Sequence, residues 1–286
     1  MGTFMGHLLP GLALALLGLW HMFNTTKVYF ENGPKKFTSK LWYPLKCSLI
    51  KLHHLELILI LSFSIFTILI QVVDIPSLSF SLSLVNLEHS TMFLHLSIFA
   101  CFTLVAELTH SSETLSGVSG ILLSSVFIQE MFLLYYHSTD HVGLEGHYHW
   151  LLQLIVCVSV LAAISSTVCP TNFPAALVLC ISVMFQGCWF MNMGFNLWFP
   201  KFVSKGCLSH GAVVCETNEA VSRATALANL QFSWIIAAIL MLTAFISLIC
   251  ARNGAAGVHS SQYEQLHNRA ADISIDEVAR LKLGHV

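Results

Sequence analysis

The chain has 286 residues, of which 56% are hydrophobic and only 10% are charged. Soluble domains carry about 25% charged residues, so this composition, with a mean hydropathy of +0.74, predicts a membrane protein. The formal net charge of −2 excludes the basic surface that nucleic-acid binding requires. The nine cysteines include no CxxC pair, which argues against a zinc finger or a dithiol redox centre.

A helix that crosses the bilayer needs about 20 mostly apolar residues, and seven stretches of the chain meet this requirement. They lie near residues 5–24, 54–73, 89–108, 115–136, 149–168, 173–197 and 225–250. Helices satisfy their own backbone hydrogen bonds in lipid, and the sequence lacks the alternating pattern of barrel strands. We therefore predict an all-α polytopic membrane protein with a seven-helix transmembrane domain at 1–250 and a tail at 251–286.

Lysine and arginine are concentrated on one side of these spans. Ten of the 13 basic residues fall in the first linker and in the tail, and cytoplasmic segments carry such an excess. The sequence therefore predicts that the N-terminus lies outside and that the tail lies in the cytosol. Trp20, Trp42 and Tyr43 are then expected at the inner membrane interface, where aromatic side chains are enriched.

This orientation gathers histidines that are distant in the sequence at the outer end of the bundle. The stretch YYHSTDHVGLEGHYHW, at residues 135–150, joins the fourth and fifth spans and contains four histidines. Further histidines stand at the start of the first and third spans. We call the predicted set the outer histidine site, and its members are His7, His89, His137, His141 and His149.

The spacing within this set is compatible with a metal site. His137 and His141 are four residues apart, so on a helix both rings lie on one face and can bind one ion. Asp140 is a candidate to accept a hydrogen bond from the other nitrogen of a ligating ring. Glu130 lies seven residues before His137 inside the fourth span, where a carboxylate faces the bundle interior or a wet cavity. Such ligands favour zinc or another transition metal.

Other interpretations of the same residues stay open. Histidine titrates near neutral pH, so the cluster also suits proton binding or pH sensing, and a polar linker outside the membrane needs no ligand at all. Some seven-helix lipid hydrolases use a zinc-activated water, and Glu130 or Glu145 would then be the base. A non-catalytic scaffold or trafficking protein needs only the spans and the tail.

Two residue pairs predict local structure at the ends of the spans. Cys207 and Cys215 lie in the last outer linker, where an oxidising compartment favours a disulfide. Glu107 and His110 are three residues apart at the inner end of the third span, which predicts a side-chain pair on one helix.

The tail and the surface suggest which partners the protein has. Tyr263 and Leu266 form a Tyr-x-x-apolar sequence on the predicted cytosolic side, which is typical of a sorting signal read by an adaptor. The lipid bilayer is the partner that composition requires, and a homo-oligomer is compatible with the sequence.

Several short motifs occur in a fixed order along the chain. They are Gly6-His7 with Pro10-Gly11, Gly18-Leu19-Trp20, LEHSTMF at 87–93, HSTDHVGLEGHYHWLLQ at 137–153 and QGCWF with GF between 186 and 195. In this order they resemble the transmembrane protein 45 family, and the histidine-rich fourth motif is similar to its plant branch. The resemblance extends to about residue 250. It implies a seven-helix protein of the endomembrane system or plasma membrane, and it implies no reaction.

The recurrent polar residues of that family fall, by position, on the five members of the outer histidine site. The chain departs from the plant pattern in the linker before the third span. Plant relatives carry a longer linker there with further histidines, whereas residues 74–88 contain no histidine before the Glu88-His89 pair. The resemblance therefore implies a site with fewer ligands, or a specialised one.

Overall fold

Seven long helices dominate the computed structural model. It describes residues 4–45, 53–74, 79–80, 83–140, 143–209 and 213–283. Its side chains are described as far as Gly254, apart from those at 74, 79–80, 85, 137–140 and 209. Within the described residues, seven helices are long and apolar enough to cross a membrane. The predicted all-α polytopic fold is therefore confirmed.

The helices and strands follow one another in a simple order along the chain. The helices are α1 (Phe4–Asn32), α2 (Leu55–Val72), α3 (Leu84–Leu108), α4 (Ser112–Asp140), α5 (Leu144–Val168), α6 (Phe173–Trp198) and α7 (Asn218–Leu283). Two antiparallel hairpins, β1 (Val73–Asp74) with β2 (Ser79–Phe80) and β3 (Cys207–Ser209) with β4 (Val213–Cys215), follow α2 and α6.

Most of the helices extend beyond the spans that hydropathy predicts. Helix α1 continues to Asn32, α4 continues to Asp140, and α5 begins at Leu144. A helix ends where the backbone turns or is capped, not where the hydrocarbon ends, so polar residues extend it into the interface. Gly143 precedes α5 with a φ of 79°, which glycine adopts without steric cost. The histidine-rich stretch is thus largely helical.

The helices form an arc rather than a closed ring. Extensive contacts join α2 to α3, α3 to α4, α4 to α5, α5 to α6, and α6 to α1, while α7 packs on α1, α6 and α5. In the part of the chain that the structure describes, α1 and α2 stand at the two ends of this arc and make no comparably extensive helix contact.

The closest helix contact is between α1 and α6, and glycines make it possible. A Cβ added to Gly18 would lie 2.4 Å from the backbone nitrogen of Met184, and one added to Gly187 would lie 2.2 Å from that of Ala15. Small residues allow helix backbones to approach in this way within a membrane. The contact fixes α1 against α6, and it therefore fixes the position of the side chains at both ends of α1.

The core is densest where α5, α6 and α7 meet. The Trp189 side chain is fully buried, its Nε1 donates to the backbone oxygen of Tyr148 at 3.0 Å, and its ring packs against Phe232. Large apolar side chains such as Phe66 and Phe245 are exposed on the outside of the bundle, as expected for a surface that lipid covers.

Candidate functional site

Polar side chains cluster at both ends of the bundle. We call the end at which α1 begins the outer face and the opposite end the inner face, following the predicted orientation. Because successive helices run in opposite directions, the starts of α1, α3 and α5 and the end of α4 lie on the outer face. Four members of the outer histidine site belong to these segments, and His141 directly follows α4 in the sequence.

The structure brings two members of this site together. The ring centroids of His7 on α1 and His149 on α5 are 6.3 Å apart, and both side chains are buried. The His7 ring also lies against Trp198, with 4.3 Å between the centroids. Two histidines separated by about half of the sequence are thus neighbours in an aromatic environment that restricts water.

The hydrogen bonding of His149 determines which of its nitrogens can bind a ligand. Its Nδ1 lies 2.9 Å from the backbone oxygen of Glu145. A carbonyl oxygen can only accept, so Nδ1 carries the proton and the lone pair of the neutral ring is on Nε2. Metal-binding histidines commonly have this arrangement, in which the second ring nitrogen donates to a carbonyl or a carboxylate.

The other predicted ligands are placed less completely. His89 lies near the start of α3, which packs on α2 and α4, and it is half-buried. His137 and Asp140 lie in the last turn of α4, but their side chains are outside the described residues, and so is the whole of His141. Among the described side chains, no group of three His, Cys, Asp or Glu residues is placed to bind a metal ion.

Glu130 lies on α4 at the edge of its buried face. Phe127 and Leu134 are buried, three residues before and four residues after it, so helical spacing places all three on one side of α4. The Glu130 side chain is half-buried. Glu130 thus lies on the side of α4 that packs in the bundle, and the role predicted for its carboxylate stays a prediction.

A network of amides supports the outer face next to the histidines. The Tyr148 hydroxyl donates to Gln231 Oε1 at 2.8 Å, and Asn192 Nδ2 donates to the same oxygen at 3.1 Å. One residue earlier, His147 Nε2 donates to Asn229 Oδ1 at 2.8 Å. These bonds join α5, α6 and α7, so they hold the first two turns of α5, and His149 with them, in place.

Glu56 forms a second polar site, at the inner face, which is not among the sites that the sequence predicts. Glu56 Oε2 accepts hydrogen bonds from Trp20 Nε1 at 2.8 Å and from the backbone nitrogen of Tyr43 at 2.9 Å. Its Oε1 lies 2.7 Å from His21 Nε2, and the Glu56 side chain is only 4% exposed. The partners matter because a buried carboxylate that lacks them is costly to the fold.

Glu56 stands inside the predicted span 54–73, and that position was a usable signal. An ionisable residue within a membrane helix is a candidate functional residue by default. The sequence predicts that its partners Trp20 and Tyr43 belong to the aromatic belt, because periodicity and hydropathy contain no information about contacts between distant residues.

The loop after α1 extends this inner polar site. Trp42 Nε1 donates to Glu107 Oε1 at 2.9 Å. The predicted helical pairing of Glu107 with His110 is replaced by this bond, because α3 ends at Leu108 and His110 turns away with a φ of 55°. The Tyr43 hydroxyl lies 2.9 Å from Thr25 Oγ1, and burial raises the pKa of Tyr43 well above its usual range.

The remaining predicted residues lie in the last outer linker and in the tail. Cys207 and Cys215 are placed as a disulfide that closes the hairpin between β3 and β4. Tyr263 and Leu266 lie within the helical backbone of α7, in the part whose side chains the structure does not describe.

One comparison with known proteins bears on this architecture. Residues 116–248 match a family of unknown function, DUF716. The DUF716 match runs from the first turns of α4 to the membrane part of α7 and includes Glu130, His137, His141 and His149. It stops short of His7 and Glu56 at the other end of the chain. It supports an uncharacterised family for this part of the protein and assigns no reaction.

Proposed function

We propose that this protein is a plant-type member of the transmembrane protein 45 family that binds a transition metal ion, zinc in the first instance, at the outer histidine site. Bound metal would serve transport or sensing across an endomembrane or the plasma membrane. The observation that carries the proposal is the pair of buried rings, His7 and His149, with the lone pair of neutral His149 on Nε2.

The donor set fits zinc. Zinc is bound by neutral imidazole and carboxylate groups, usually in a four-coordinate arrangement. His7 and His149 would supply two ligands. His137, in the last turn of α4, and His141, four residues further along the chain, would complete the set. Asp140 would orient one of these rings by accepting its second N–H. His89 and Glu130 are the remaining candidates from α3 and α4.

Metal content of the purified protein tests this proposal. The wild-type protein, incubated with zinc and then desalted, is expected to retain about one metal ion per chain by elemental analysis. The variants His149→Ala and His7→Ala should lose it, because each removes a ligand. The control His110→Ala removes an exposed histidine at the inner face and should retain the metal. Wild-type protein that is free of metal, or a His149→Ala variant that binds as much, contradicts the proposal.

The same preparations separate the competing functions. A proton-sensing site would show no retained metal, but its histidines would titrate in a pH-dependent signal that His149→Ala removes. A zinc-dependent lipid hydrolase would retain metal and also release product from a lipid panel, and Glu130→Gln would abolish that release. A scaffold would retain no metal, show no pH-dependent signal that depends on His149, and release no product.

We further propose that the segment after residue 250 is cytosolic and that Tyr263 and Leu266 direct sorting. A fluorescently tagged Tyr263→Ala variant should then change its distribution among membranes, while His149→Ala should not. An unchanged distribution of the Tyr263→Ala variant contradicts the sorting role and leaves the metal site unaffected.

A further inference from the structure

Hydrogen bonds to a carboxylate connect the two ends of the helix arc. Helix α1 packs extensively on α6 and α7, and α2 packs on α3. Between α1 and α2, the connection described at the inner face is the set of bonds from Trp20 and His21 to Glu56. The arc is therefore joined at this point by polar side chains, whereas its other neighbouring helices are joined by packing.

A short segment crosses the inner face next to this connection. We call residues 37–43 the inner strap. Phe37 is buried against Tyr29 and Phe173. The backbone nitrogen of Ser39 donates to the backbone oxygen of Pro170 at 2.7 Å. The strap thus begins on the turn between α5 and α6.

The other end of the inner strap is held by two carboxylates. Trp42 donates to Glu107 on α3, and the backbone nitrogen of Tyr43 donates to Glu56 on α2. Taken together, the described contacts at the two ends of the strap reach α1, α2, α3, α6 and the turn after α5. One seven-residue segment therefore connects most of the bundle at its inner face.

The inner strap covers polar groups that belong to the interior. The Tyr43 hydroxyl contacts Thr25 Oγ1, which in turn lies 3.6 Å from the thiol of Cys180. Cys180 is on α6 and is only 5% exposed. Lifting Tyr43 would therefore give water a path to Thr25 and Cys180 at the inner end of α1 and α6.

The residues that flank the inner strap favour backbone turns. Gly33 has a φ of 78°, which is in the left-handed region of backbone conformation. A Cβ added there would meet nothing within 4 Å, so the space around this residue is open. Proline follows it at position 34 and also follows Tyr43 at position 44. Hinges of mobile segments are a few loop residues that absorb the change in backbone angles.

We propose that the inner strap is a gate at the inner face and that Glu56 and Glu107 are the latch that holds it closed. In the closed state, which this structure represents, the strap separates the interior beside Thr25 and Cys180 from the solvent. When the bonds to the two carboxylates break, Trp42 and Tyr43 move away and the seam between α1 and α2 opens at its inner end. The gate does not depend on metal binding at the outer face.

The native thiol of Cys180 reports the opening of this gate. The experiment uses the full-length protein in which Cys180 and the two disulfide cysteines are retained and the six other cysteines of the sequence are replaced. The rate of its alkylation by N-ethylmaleimide is followed by mass spectrometry. Because labelling requires opening, the rate follows the population of the open state.

Two variants weaken the latch in different places. Glu56→Leu removes the acceptor for three donors and should raise the rate at least about 10-fold, as the loss of a charge-assisted bond implies. Trp42→Phe removes one donor from the strap itself and should raise it about 3-fold. Glu31→Leu is the matched control, because Glu31 also stands at the inner face, where its carboxylate pairs with exposed Lys27 at 3.8 Å instead of with the strap.

A second thiol separates gating from loss of structure. Cys250 on α7 is also buried, at 6% exposure, and lies outside the strap. In a parallel protein that keeps only Cys250, its labelling should not change with Glu56→Leu or Trp42→Phe. The proposal is overturned if Cys180 labels at the wild-type rate in both variants, or if Cys250 accelerates by the same factor as Cys180.

Discussion

Replacing Gly187 by alanine tests the backbone contact that positions α1. The added Cβ would lie 2.2 Å from the backbone nitrogen of Ala15, 2.5 Å from the Gly11 oxygen and 2.8 Å from the Ala15 Cα. All of these atoms belong to the backbone of α1, so no side-chain rotation relieves the overlap. Ordinary contacts begin at 3.4 Å, and α1 must therefore retreat by about 1 Å at this point.

The size of the effect follows from two opposing terms. Overpacking of a close-packed interior costs about 1–3 kcal/mol, and we expect the upper end because backbone faces backbone. Alanine regains about 1 kcal/mol over glycine inside a helix. The net loss of about 2 kcal/mol corresponds to a melting temperature lowered by about 4–8 °C for a chain of this size.

The assay is the fraction of monodisperse protein after heating in detergent. Gly117→Ala is the matched control, because Gly117 is also helical and its added Cβ would meet nothing within 4 Å. Its melting temperature should stay level or rise. If Gly187→Ala is as stable as Gly117→Ala, the close approach of α1 to α6 does not exist in the protein.

The same substitution has a functional consequence at the outer face. His7 is carried by α1, and its Cβ lies 3.3 Å from the position of a Cβ on Gly194 of α6. A shift of α1 at Gly187 therefore changes the distance from His7 to His149. Metal retention by Gly187→Ala should fall at temperatures at which the variant is still folded, while Gly117→Ala retains metal like the wild type.

Three further predictions concern stability and orientation. Cys207→Ser opens a loop of eight residues and should lower the free energy of unfolding by about 2–3 kcal/mol under non-reducing conditions; equal stability of wild type and variant contradicts this. Gln186→Met should leave the free energy of unfolding unchanged or raise it by up to about 1 kcal/mol. Gln186 Oε1 is buried without a partner, and Ser159 keeps its bond to the backbone of α5. A clear loss in thermal stability contradicts this prediction. A glycosylation sequon placed at 201–206 should be modified in microsomes and one at 33–36 should not, and the reverse pattern contradicts the predicted orientation.

The helices could be predicted from the sequence because burial in lipid is a property of each segment alone. Hydropathy found all seven helices, including α1, which contains Pro10. It missed their ends, and α1 reaches Asn32 rather than residue 24. The polar residues at these ends stay helical because backbone hydrogen bonding continues past the hydrocarbon, and a transfer scale does not measure that term.

The outer pair of histidines could be anticipated from topology, since alternating helices place distant residues at one level. Topology does not specify which residues of that level touch. His7 contacts His149 because Gly11 and Gly18 let α1 approach α6 closely, and this approach depends on glycine positions in two helices that are far apart in the sequence.

The inner site could not be derived because its bonds cross between segments that have no common periodicity. Trp20 and Trp42 fit the composition of an interface belt, and only the structure shows that each indole N–H donates to a carboxylate. The position of Glu56 inside a predicted span is nevertheless a signal for this region. A carboxylate within a membrane helix must be neutralised, hydrogen-bonded or hydrated, and Glu56 accordingly has three polar partners.

Helix α1 belongs to both polar sites, and this limits how they can be arranged. His7 stands near its outer end, and Trp20 and His21 stand about four turns further along the same unbroken helix. Because glycine contacts fix the middle of α1 against α6, a rigid movement of α1 cannot change one site without moving the other. The carboxylate latch instead gives the inner face a way to open that leaves α1 in place, since Glu56 and the strap can move while the outer pair of histidines stays together.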